Sequence, residues 1–243
     1  MTAHLTRREI TRAATIDEIK QTALSLMRRT GTTNVVFSDI AREMHMTAPA
    51  LYRYFADRDD LLTVLITDTF GELGALLADS SATVPDDDPG GRLVAMCQAY
   101  RRWATGHPER YELLFGLPAP GYVAPEAGPT TEAAKRALGN FMALYHAARA
   151  IGYEAEPQVP AVSSSVAAAF RDPVHQMDDM PPAVAAGMVH CWSLLQGFVS
   201  LETFCHMGWF GDEARDDLFV QQLQLMASMI ALPPPRAGWD SAR

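Results

Sequence analysis

Thr47, Tyr52, Tyr54 and Arg58 carry hydroxyl or guanidinium donors, and Arg53 lies among them. Donors spaced this closely suit phosphate oxygens, and a guanidinium can also grip the O6/N7 edge of a guanine through two parallel hydrogen bonds. Ala48, Pro49 and Ala50 in the same stretch are small and apolar, able to touch a thymine methyl but not to donate. Nothing comparable points to covalent chemistry. The chain has no Gly-x-Gly-x-x-Gly, Walker loop, Gly-x-Ser-x-Gly or His-Glu-x-x-His, so it reads as a non-enzyme that needs no cofactor and no metal. His190, Cys191, Cys205 and His206 have the right atoms for a metal, but separations of 14 to 16 put them turns apart on an apolar helix, where core packing is the better account. Cys97 could pair with Cys191 or Cys205 in a redox switch, yet no cationic neighbour in sequence would activate a thiolate.

The elements that must position these groups are helices. Thr15 and Glu18 form a capping-box pattern ahead of Ile16, Ile19, Ala23, Leu24 and Met27, and Gly31 closes that helix behind Arg28 and Arg29. Short helices follow over about 38–44 and 47–54. A long one runs from the cap Asp57 through Leu61, Leu62, Leu65, Ile66, Phe70, Leu73 and Leu77. In the short pair, small Ala41 lets the second helix approach, Met46 fills the turn, and Leu51 and Phe55 close a core. The outward face of the second helix is then Ala48, Pro49, Ala50, Tyr52, Arg53 and Tyr54, with Thr47 as its cap and Pro49 in its first turn. Beyond this, 86–91 reads as a loop and helices are expected at about 92–105, 108–116, 130–151, 161–170, 182–207 and 212–231. The segment 117–129 reads as a Pro-rich loop. No strand-like alternation and no repeat appears, so the fold class is all-α. The apolar run from Ala183 to Cys205 is broken by His190, Gln196 and Glu202 and reads as a buried helix, not a membrane span.

Net charge is −9 over 243 residues, but it is unevenly placed. Residues 1–55 hold eight Lys and Arg against five acids, a balance of +3. The remaining residues hold twelve against twenty-four, a balance of −12. A basic end on an acidic body fits a nucleic-acid-facing terminus. Three cysteines make no disulfide framework, and the first thirty residues contain no apolar leader segment, so a cytoplasmic location is expected.

Gly31, Ile40-Ala41, Met46-Thr47, Leu51-Tyr52, Phe55 and Leu61-Leu62 fall at the spacing of one family's DNA-binding domain. Over about 16–62 the chain resembles the tetracycline-repressor (TetR) family. Its helix-turn-helix run reads Ile-Ala, two residues, Ala-Gly-Val-Ser, three residues, Leu-Tyr, two residues, Phe. Three positions depart from that pattern: His45 stands at the turn glycine, Val36 at the hydroxyl cap of the first helix (leaving Ser38 as a late cap), and Arg58 at the commoner lysine. The resemblance implies phosphate contacts from Thr47, Tyr52, Tyr54 and Arg58, and base contacts from Ala48, Pro49, Ala50 and Arg53. Arg53 would carry most of the hydrogen-bonded readout. Arg7, Arg8 and Arg12 are expected in a flexible basic arm over 1–14.

The later segments His107-Pro108, Tyr111, Phe115 and Trp192, Leu195, Gly197, Leu201 resemble a subgroup of that family with a Trp-His-Gly signature, with Gln196 in place of its His. The resemblance implies a reader over 1–60, a helical effector-binding and dimerisation domain over 61–232, and a frayed tail over 233–243. Candidate effector contacts are Met96, Tyr100, Trp103, Tyr111, Phe115, Phe141, Tyr145, His146, Phe170, Trp192 and Gln196, with Cys191 and His190 as further polar candidates. The function implied is a homodimeric repressor on a pseudo-palindromic double-stranded operator, released by a small, largely apolar effector and making no contact with membrane. A ligand-independent or activating helix-turn-helix protein is the alternative.

Overall fold

The structure, a computed structural model, describes residues 6–117, 122, 128–171 and 179–242. In chain order the helices are α1 (Arg7–Thr30), α2 (Phe37–Glu43), α3 (Ala48–Leu51), α4 (Arg58–Ala82), α5 (Pro89–Gly106), α6 (Pro108–Phe115), α7 (Pro129–Ala150), α8 (Ser164–Phe170), α9 (Pro182–Thr203) and α10 (Asp212–Met229), with a 3₁₀ turn at Trp239–Ala242. No strand occurs among the described residues, in keeping with the all-α reading. The chain folds as two compact units. One takes residues up to Glu72 with His107–Lys135; the other takes Leu73–Gly106 with Arg136–Arg243. The division differs from the expected boundary at residue 60, because the first part of α4 and all of α6 belong with the N-terminal helices.

In the first unit, α1 begins nine residues earlier than the Thr15 pattern suggests. Thr6 is the cap: its hydroxyl accepts from the Glu9 amide at 3.3 Å, and the Glu9 carboxylate takes the Thr6 amide at 2.7 Å. Thr15 lies mid-helix, its hydroxyl donating back to the Thr11 carbonyl at 3.0 Å. Arg7, Arg8 and Arg12 are therefore helical, and the flexible arm is corrected for residues 7–14; residues 1–5 lie outside the described residues. At the other end Gly31 takes φ 64° and donates to the Met27 carbonyl at 2.9 Å. Ile19, Ala23 and Met27 of α1, Ile40 and Ala41 of α2, Leu51 and Phe55, and Leu61, Leu62 and Leu65 of α4 form one buried core.

In the second unit α5, α9 and α10 pack together. Gly187 on α9 lies where a Cβ would come within 2.2 Å of the Met229 carbonyl oxygen, so only glycine lets these helices meet so closely. Arg101 on α5 ties them: its guanidinium donates to Glu202 of α9 (2.6 Å from Nε) and Asp216 of α10 (2.8 Å), and lies over the Phe219 ring at 4.7 Å. Two sequence expectations are corrected here. The helix expected from 92 starts at Pro89, since the Asp88 carboxylate accepts from the Gly91 amide at 2.9 Å. The tail is docked rather than frayed: Leu232 and Pro235 are buried, the Arg236 amide meets the Asp88 carboxylate at 3.3 Å, and the Arg236 guanidinium pairs with Asp87 at 2.7 Å. The loop expected over 117–129 falls largely outside the described residues.

Helices α4 and α9 are long and apolar enough to cross a bilayer by length and composition. Their leucines and valines instead line the cores, among them Leu73 and Leu77 of α4 and Val184, Leu195 and Val199 of α9. Helix α9 is not buried all round as expected. Val189, His190, Ser193, Gly197 and Leu201 share an exposed face. His190, Cys205 and His206 are all exposed, which corrects their assignment to the core; Cys191 alone of the four is buried.

Candidate nucleic-acid interface and apolar cavity

The turn between α2 and α3 is built on His45, whose φ of 53° places it in the left-handed region, as expected of a residue at the glycine position. Met46 then donates to the Ala41 carbonyl at 2.8 Å, closing the turn over Ala41. Val36 is the N-cap of α2 and makes no side-chain cap bond, and Ser38 does not replace it. Thr47 occupies the N-cap of α3 with extended backbone and likewise makes no side-chain cap bond, so its hydroxyl is not spent on the helix. Helix α3 is shorter than the expected 47–54: the helix proper ends at Leu51, and Tyr52–Tyr54 continue as a turn.

Thr47, Pro49, Tyr52 and Arg53 are exposed, while Ala48, Ala50 and Tyr54 are half-buried. Tyr52, at 59% exposure, is steadied by its ring contact with Phe37 at 5.1 Å. Arg12 reaches from α1 to donate to the Arg53 carbonyl at 2.8 Å and lies over the Tyr54 ring at 5.2 Å. Beside this contact is an open cleft of about 730 Å³ lined by Arg7, Arg8, Thr11, Arg12, Arg53 and Tyr54. Among the described residues no carboxylate lines it, so four guanidinium groups converge there without an anion among them. Sequence reasoning had these arginines but placed three of them on a mobile arm; the signal for order was Thr6 three residues before Glu9.

Arg58 is positioned otherwise than expected. Its Nε donates to the Val35 carbonyl at 2.9 Å and Nη2 to Asn34 at 3.1 Å, so it braces the α1–α2 connection, with only 21% of its side chain exposed. Two ion pairs fix the far end of α1. Arg29 grips Glu43 of α2 through two bonds of 3.0 and 2.9 Å, and this guanidinium holds the Glu43 carboxyl below its usual range. Arg28 holds Glu109 of α6 through two bonds of 3.0 and 2.9 Å, with the His107 Nδ1 also 3.0 Å from Arg28. Glu109 is buried, so α6 is fastened to α1 by a charge pair with one end in the dark.

The second unit holds a cavity of about 180 Å³. Its wall is aliphatic, aromatic and sulfur-bearing throughout: Leu93 from α5; Leu138, Phe141 and Met142 from α7; Met188, Val189, Cys191, Trp192 and Leu195 from α9; Met226 and Ile230 from α10 and its cap. Of the expected effector residues, Phe141 and Trp192 lie on this wall. Met96, Tyr100 and Trp103 are buried in the core of the same unit, with the Tyr100 hydroxyl donating to Gln196. Tyr111 and Phe115 belong to the first unit, where Phe115 meets Phe70 edge-on at 5.8 Å. Tyr145 packs under Arg149, His146 pairs with Asp179 at 3.2 Å, and Phe170 is half-buried at the end of α8. The expected residues leave out the leucines and methionines that make most of the wall, whose helical spacing is the same as that of ordinary core. Cys191 faces the cavity but its thiol donates to the Met226 carbonyl at 3.3 Å, and burial pushes its pKa up to about 12. Burial raises Cys97 as well, so neither thiol is poised for redox chemistry. Among the described residues no three His, Cys, Asp or Glu side chains gather as metal ligands.

Comparison with known proteins bears on both units. Residues 19–65 match the family model described as bacterial regulatory proteins, tetR family, and residues 93–226 match that of the tetracyclin repressor-like C-terminal domain. The chain belongs to the TetR family. Relatives include the HTH-type transcriptional regulators Mb1846 of Mycobacterium bovis and Rv1816 of Mycobacterium tuberculosis, each 30% identical over 197 residues, which cover 79% of this chain and 82% of theirs. Among solved structures, the regulatory protein SCO4313 superposes with a TM-score of 0.71 at 30% identity, over 91% of this chain and 98% of that one. The TetR-type fold also extends to RolR, crystallised with resorcinol, at a TM-score of 0.52 and 15% identity over 93% of this chain and 97% of that one. The chain is thus a DNA-binding transcriptional regulator of the TetR type. Its helix-turn-helix is the α2–α3 pair.

Proposed function

We propose that this regulator is a repressor that binds a pseudo-palindromic operator as a homodimer and leaves it when a small apolar effector fills the second unit. The observation that carries the reading is the solvent-facing edge of α3, Thr47 to Arg53, set beside a cleft of four guanidinium groups. A short helix with a small, apolar and basic outer face suits the major groove, N-terminal end first. Arg7, Arg8 and Arg12 then meet the neighbouring phosphates, with Thr47, Tyr52 and Tyr54 adding hydroxyl contacts. Arg53 reads a guanine, and Ala48, Pro49 and Ala50 lie against thymine methyls. Arg58 supports the interface from behind. The exposed stripe of α9 and the exposed Leu225 of α10 suit an isologous contact with a second copy, which supplies the two readers a palindrome needs. The apolar cavity supports ligand control over a ligand-independent mode of action. Such a protein acts on chromosomal DNA in the cytoplasm.

The test is selection of bound duplexes from a random pool by the full chain, followed by titration of the enriched site. The expected result is an inverted repeat with half-site centres about one helical turn, or a multiple of it, apart, bound with steep salt dependence. Enrichment of no sequence would contradict operator reading. An operator complex that no lipophilic compound weakens would favour the ligand-independent alternative.

A further inference from the structure

From the wall chemistry of the second unit's cavity, we infer that the effector is an uncharged hydrocarbon of roughly six to ten carbon atoms, such as an alkylbenzene, and not a carboxylate or a phenol. The inference rests on the ligand-released reading above and narrows it. Among the described residues no charged, amide or hydroxyl side chain lines the space. Two side chains of the wall carry a polar hydrogen, Cys191 and Trp192, and that of Cys191 is already donated to the Met226 carbonyl. A ligand hydroxyl would find no side-chain oxygen to accept its proton among the described residues, which weakens binding by about tenfold or more, and a carboxylate with no cation to meet it would fare worse still. Size points the same way. An apolar cavity of about 150 Å³ stays dry and takes up benzene, and this one measures about 180 Å³. Leu138, Phe141 and Met142 on α7 and Trp192 and Leu195 on α9 all line it, so an occupant would touch both helices.

Toluene, phenol and benzoate, added in turn to the full-length protein, separate the chemistries, with melting temperature and tryptophan fluorescence as readouts. At tenfold over its Kd, toluene is expected to raise the melting temperature by about 3 °C and to change the emission of Trp192. Phenol should need at least about ten times the concentration, and benzoate should do nothing. The variant W192F should lose the fluorescence change and keep the melting shift, and L138F/M142F, which fills the space, should lose both. Phenol or benzoate matching toluene, no shift with saturating toluene, or a shift undiminished in a folded L138F/M142F would overturn the inference. The two readings fail separately. Toluene bound in the cavity with operator affinity unchanged would overturn ligand-released repression and leave this inference standing. Operator release by benzoate alone would do the reverse.

Discussion

At Arg53 the account makes its sharpest residue-level claim, because an arginine on a base and an arginine on a phosphate answer differently to alanine. Arg53→Ala should cost about 1–3 kcal/mol at the cognate site and relax preference at one base pair, measured by titrating single-base operator variants. Arg7→Ala and Arg8→Ala should weaken binding about equally at all sequences and reduce the salt slope by about one each. Equal losses for Arg53→Ala across all variants would make it a phosphate contact instead. Arg58→Ala, by contrast, should act through the fold, since its bonds go to Val35 and Asn34. The cysteines separate in a similar way. Cys205 is exposed and should alkylate readily with iodoacetamide at pH 8, whereas Cys191, raised to about 12 by burial, and Cys97 should stay unmodified in the native protein. Modification of Cys191 at the rate of Cys205 would show that the cavity wall opens far more than its packing implies.

Among the elements, α6 and the α2–α3 turn carry measurable consequences. The Arg28–Glu109 pair is asymmetric: the Glu109 side chain is 5% exposed and that of Arg28 55%. Removing the arginine strands a buried carboxylate, while removing the carboxylate leaves a cation that water can serve. Arg28→Ala should therefore destabilise by about 2 kcal/mol and Glu109→Ala by less, as read from chemical denaturation; the opposite order would contradict the pair's described burial. His45→Gly should stabilise by about 0.5–1 kcal/mol, relief of left-handed strain being partly offset by the freer unfolded chain. These elements also show what the chain's chemistry makes legible. The helix-turn-helix could be read because Ile40, Ala41, Leu51 and Phe55 meet within sixteen residues, where local spacing dictates contact. The start of α1 is hard to read because two Thr-x-x-Glu patterns, at Thr6 and Thr15, compete and helix continuity, not pattern, decides between them. The docked tail was illegible because Asp88 and Arg236 are far apart in sequence and only the fold joins them. The cavity wall was mostly hidden for a related reason: whether Leu138 or Met226 faces a void or a neighbour depends on small differences in helix separation that composition does not encode.

For the molecule as a whole, charge and covalent continuity set the terms. The −12 of residues 56–243 disfavours DNA along the body and leaves the basic cleft as the approach, so non-specific affinity should be low and specific affinity should depend on pairing two readers. Helices α4 and α7 each contribute residues to both units. On the proposed ligand-released reading, linkage requires that operator DNA weaken effector binding by the same factor by which effector weakens DNA binding. Reading of DNA by α3 from a basic end is the claim on which the rest depends. Fluorescence anisotropy of the full chain on the selected operator and on a scrambled duplex, across a salt series, tests it most directly. The account predicts two protomers per operator, operator affinity at least about a thousandfold above the scrambled duplex, and a steep fall with salt. Equal affinity for both duplexes, or binding indifferent to salt, would contradict it.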